Sequence, residues 1–224
     1  MRPHIGLYRS DHLETVLRAE PAARADFGFA ELFIEVTADP TQDFFADPPE
    51  GATPDSRATH EFATTSDVPL VNSISRALGQ HMSYITEVFA RQPRFCIFSI
   101  AMFGSRARLI RWDRAGCIVT EAFDIRSSPQ VLCDFLWRFS QTSDAGRGHD
   151  TTVRVASADE EALFEECIRE HLRSQLALEG AELEKCVSEH YEPHHVAVFH
   201  VLSPVAIANS DAICPYLVSR PTRA

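Results

Sequence analysis

Apolar positions along this chain alternate every second residue over short runs and recur at helical spacing over longer ones, the pattern of a protein mixing strands and helices. His4-Ile5-Gly6-Leu7-Tyr8 reads as a short strand, and Glu31-Leu32-Phe33-Ile34-Glu35-Val36-Thr37 as a second, rich in β-forming residues. Between them, Asp11 and Glu14 stand at capping-box spacing around Leu13, Val16 and Leu17, which predicts a helix start. A helix is predicted over 71–90, where Ile74, Leu78, Met82, Ile85 and Phe89 form one apolar stripe. Gln80 and Tyr84 lie four apart on roughly the opposite side of it.

An antiparallel meander should follow. Phe95 to Phe103 runs out, Gly104-Ser105 turns, Arg106 to Trp112 runs back, and Asp113-Arg114-Ala115-Gly116 turns again into Cys117 to Phe123. Ser128-Pro129 opens a helix whose Val131, Leu132, Phe135, Leu136 and Phe139 face the core. Thr152 to Val155 reads as a strand, and Ser157-Ala158-Asp159-Glu160 is a capping box ahead of an amphipathic helix. Two further strand-like runs, His195 to Leu202 and Ile213 to Ser219, complete the tail. The stretch 38–70 differs from all of these: rich in Pro, Asp and Thr, it is expected to bury little and to form a loop prone to disorder.

Composition narrows the function classes. A hydrophobic fraction of 45% over 224 residues supports one core, or a core with a small lobe. No apolar run of about 18 residues is present, so no membrane span is expected. The amino terminus lacks the apolar core of a secretory signal, and six scattered cysteines without a CxxC pair read as reduced, buried thiols. Both point to an intracellular protein, cytoplasmic or nuclear. A net charge of −11 disfavours a nucleic-acid partner. Of 21 basic residues only Lys185 is a lysine, which removes any mechanism needing a lysine earlier in the chain.

Several residues carry candidate chemistry beside a structural reading. Arg106, Arg108, Arg111 and Arg114 crowd the meander, either as a binding patch for phosphate or an acidic partner or as arginines paired with nearby carboxylates. Tyr84 on a two-faced helix is a core candidate with its hydroxyl tied to a neighbour. Asp113 and Arg114 should fix their turn, and Asp150 should tether a loop to backbone amides. No glycine-rich loop precedes a strand lysine, and neither a His-Arg-Asp nor an Asp-Phe-Gly triplet occurs, so the catalytic parts of a kinase are absent from the sequence.

Certain phrases go further. Glu31-Leu-Phe-Ile-Glu35-Val, Leu78-Gly79-Gln80, Arg91-Gln92-Pro93-Arg94, Arg111-Trp112-Asp113-Arg114-Ala115-Gly116 and Gly148-His149-Asp150-Thr151-Thr152-Val153 resemble the amino-terminal region of fungal-type protein kinases. That resemblance implies an α/β (α+β) fold, a PD-(D/E)XK nuclease-like mixed sheet flanked by helices with a carboxy-terminal α+β extension. It places a nuclease-like domain at 1–156 and a helix with strands at 157–224, leading toward where a kinase lobe would begin.

The family pattern pairs an Asp and a Glu that bind a divalent metal, with a lysine two residues beyond the Glu and Gln-x-x-x-Tyr on the next helix. Here Glu35, Gln80 and Tyr84 match, but His4 stands for the Asp and Thr37 for the lysine. His4 and Glu35 could hold Mg²⁺ or Mn²⁺ weakly; no other cofactor is expected. Loss of one anion and of the cation should cripple water activation. The expectation is a catalytically inactive regulatory or scaffold module that binds a protein partner, such as a kinase domain. The alternatives are a metal-dependent phosphodiesterase with a degenerate site and a nucleic-acid-binding relic.

Overall fold

The computed structural model describes residues 3–18, 26–63, 71–190, 196–202 and 213–219, and the chain divides into two compact units, 1–149 and 150–224. The first unit holds strands β1 (Ile5–Tyr8), β2 (Ala30–Thr37), β3 (Ile97–Phe103), β4 (Arg106–Trp112), β5 (Cys117–Val119) and β6 (Phe123–Asp124). Its helices are α1 (Leu13–Arg18), α2 (Pro54–Ala58), α3 (Val71–Arg91) and α4 (Pro129–Gln141). The strands form one mixed six-stranded sheet in the order β1-β2-β3-β4-β5, with β6 also on β4. Only β2 and β3 run parallel, as their connection through the long helix α3 requires.

Strand period two explains how two helices can cover this sheet. Phe33, Ile97, Ala101, Phe103, Ile110 and Trp112 face one core together with residues of α3. The alternate positions Leu32, Ile34, Ile100 and Ala107 face a second core with Phe139 of α4. A strand buried on both faces is mostly apolar, and β2 opens Ala-Glu-Leu-Phe-Ile with every position buried, its one charge, Glu31, paired with Arg94 and His149.

Two local expectations change in the structure. The core face of α3 is Ile74, His81, Tyr84, Ile85 and Val88, while Met82 is half exposed. The buried stripe therefore runs through two polar-capable rings, and Tyr84 belongs to the core side rather than to an opposite face. At the start of the chain, Ser10–His12 form a 3₁₀ turn ahead of α1, and the Asp11 carboxylate pairs with Arg9 instead of capping a helix.

The acidic, proline-rich stretch is also more ordered over 38–63 than its composition predicts; residues 64–70 lie outside the described residues. Phe44 and Phe45 are buried in the main core, and Thr53 caps α2 by accepting from the Ser56 N–H. The deeper reason is Arg108, nearly solvent-free on β4 at 1% exposure. Its guanidinium donates to Asp43, Asp47 and the carbonyls of Phe45 and Thr120. A buried arginine needs its charge and donors satisfied, and the two aspartates of this stretch satisfy them.

The second unit contains β7 (Val153–Val155), α5 (Ala158–Leu176), α6 (Gly180–His190), β8 (Val196–Leu202) and β9 (Ile213–Ser219). Its three strands form an antiparallel sheet in the order β7-β8-β9. Because β7 pairs with β8, the division falls at 149 and not at 156. The capping box at Ser157 and Glu160 is present in both directions. Helix α6, not expected from the pattern, packs Leu183 and Val187 against Leu172 of α5. Among the described residues, Cys96 is buried but Cys117, Cys133 and Cys167 are exposed; all are free thiols. No described helix is long and apolar enough to cross a membrane.

Candidate functional site

The pairing of β1 with β2 sets Ile5 opposite Ile34, which brings His4 beside the end of β2. The Val36 N–H donates to His4 Nδ1 at 3.1 Å, and the same Nδ1 lies 3.4 Å from Glu35 Oε2. One nitrogen cannot accept from the backbone and donate to the carboxyl through the same lone pair. The backbone amide always carries its hydrogen, so Nδ1 accepts from Val36.

Helix α3 supplies the other side. The Gln80 amide donates to Glu35 Oε1 at 3.0 Å and to the Tyr84 hydroxyl at 2.8 Å. Their four-residue spacing puts both side chains on one helix face. Tyr84 is 2% exposed, stacked on Phe27 and edge-on to Phe33, so most of its contacts are those of a core ring. Burial raises its phenol above 10, and the Glu35 charge adds to that.

Glu35 is the anomalous group. Its Oε2 is buried and accepts no hydrogen bond. Burial pushes its carboxyl above the usual 4.5, outweighing His4 and Gln80, which act in the opposite direction.

Thr37, two residues on and therefore on the same strand face, lines a half-open cleft of about 200 Å³ with Glu35 and Gln80. The register of β2 on β3 sets Ala101 beside Glu35 and Phe103 beside Thr37, and these two form its floor with Phe44. Gln42, Ser73 and Arg76 complete the polar wall. The structure thus links Glu35, Gln80 and Tyr84 in one hydrogen-bonded chain, with His4 3.4 Å from Glu35 and Thr37 on the wall that Glu35 and Gln80 share.

Arg76 is the residue that sequence reasoning missed. It lies four before Gln80, one helical turn away, and four-residue spacing from a known site residue was the available signal. A search restricted to lysines passes over it.

The donor set does not fit a divalent metal. Mg²⁺ and Mn²⁺ favour oxygen ligands with more than one carboxylate or carbonyl, whereas here one carboxylate stands beside an imidazole nitrogen already occupied by a backbone N–H. Among the described residues no three His, Cys, Asp or Glu side chains gather as a metal site.

The arginines of the meander do not form one patch. Arg106 and Arg108 differ from Arg111 by odd numbers along β4, so they lie on opposite sheet faces. Arg108 is buried, Arg106 pairs with Asp47, Arg111 lies 3.6 Å from Asp113, and Arg114 stacks over Phe89. Asp113 does fix its turn, accepting from the Ala115 and Gly116 N–H groups.

Several phrases that carry the family resemblance converge elsewhere, in a structural clasp. Glu31 accepts from Arg94 and from His149 Nε2. Gln92 accepts from Arg94 and donates to the carbonyls of Phe27 and Ala30. Burial pushes the Glu31 carboxyl up, but His149 and Arg94 outweigh it and hold the carboxyl below 4.5. Gly148 sits at φ +95°, where an added Cβ would meet the Cys96 carbonyl oxygen at 2.1 Å, so only glycine fits.

Residues 61–187 match the family model described as fungal protein kinase, which covers more than half of the chain. Neither a curated protein nor a solved structure matches it.

Proposed function

From the premise that this chain belongs to the fungal protein kinase family, we propose that its first unit is a catalytically inactive, nuclease-like regulatory or scaffold module that binds a protein partner. A kinase domain, in the same or another chain, is the partner this membership favours. The reading is supported most by the state of Glu35, the single carboxylate of the site. Its neighbour His4 is turned to a backbone amide, and its own charge is disfavoured by burial.

Metal-assisted hydrolysis of a phosphodiester needs charge at two places, on the ligands that hold the ion and on the group that steadies the developing oxyanion. His4 in place of an acid weakens the first, and the neutral, short hydroxyl of Thr37 cannot supply the second. The rival phosphodiesterase would have to work through a single carboxylate whose charge burial disfavours. Purified protein incubated with single- and double-stranded DNA and RNA, in Mg²⁺ or Mn²⁺, should therefore cleave no faster than its Glu35→Ala variant. Metal-dependent cleavage that disappears in Glu35→Ala would overturn the reading.

A further inference from the structure

We draw no further inference here: the strongest candidate, the exposed pair Val155 and Val218 that strand register sets on either side of Ala197 in the β7-β8-β9 sheet, carries nothing, because nothing in the structure shows what covers that apolar row.

Discussion

His81 allows a quantitative test of the core beneath the site. The ring is fully buried between Phe33, Phe44 and Trp112, with Nε2 at 2.8 Å from Ser99 Oγ and Nδ1 without a partner. Burial pushes its imidazole from 6.5 down to about 3. The unfolded chain takes up a proton as pH falls through 6.5, while the folded chain takes none until about 3, so stability is lost across that window on acidification. Each pH unit in the window costs about 1.4 kcal/mol, or about 2 kcal/mol between pH 6.5 and about 5.

Urea unfolding followed by tryptophan fluorescence at about pH 8 and about pH 5 measures this loss. Both tryptophans, Trp112 and Trp137, lie in the first unit, so the signal reports that unit. The control is His81→Gln, whose amide can reach Ser99 and does not titrate. Glu31, held low, and Glu35, pushed up, titrate in both proteins and cancel in the comparison. The wild type should lose about 2 kcal/mol more than the variant between the two pH values. An equal loss in both proteins would refute the argument, because it would mean that His81 is hydrated or already charged when folded.

Two further outcomes probe the buried polar network. Arg108→Met should cost about 3–5 kcal/mol in the same fluorescence assay, since it strands the carboxylate of Asp43 and two carbonyls without their donor; a loss below about 1 kcal/mol would show the cage to be solvated. Gly148→Ala should cost more than about 2 kcal/mol from its positive φ and the clash with the Cys96 carbonyl, whereas Gly116→Ala, with open space at its Cβ, should cost under about 1 kcal/mol; comparable losses would refute the packing at Gly148.

Much of this architecture was legible because period two and period 3.6 leave different marks. Arg106–Trp112 and Ile213–Ser219 are strands as the alternation predicts, and Pro129 opens α4 where the pattern puts it. What escaped was every place where polar residues act as core. His81 and Tyr84 turned the buried stripe of α3, because an aromatic ring with one satisfied polar atom packs like an apolar one. Arg108 reads as a surface charge until Asp43 and Asp47, some sixty residues earlier, are seen folded over it. The same aspartates made their segment look disorder-prone, since composition counts charges but not their partners. At the candidate site, the residues of the motif could be named in advance; the turning of His4 toward Val36 could not, because a backbone donor has no signature in sequence. Arg76 was within reach of helical spacing alone.

The clasp around Glu31 has a consequence for how the chain reaches its folded state. Glu31 lies on the second strand, yet the histidine that completes its shell comes 118 residues later. Until that late segment arrives, the Glu31 carboxylate at the start of β2 has Arg94 but lacks the second donor that completes its burial. Loops of that length close slowly relative to local turns, and their entropy is lost before the contact forms. A nascent or truncated chain ending short of His149 would therefore leave the buried Glu31 carboxylate with Arg94 as its sole cationic partner at the end of its parallel strand pair, a partly hydrated core that favours aggregation over folding.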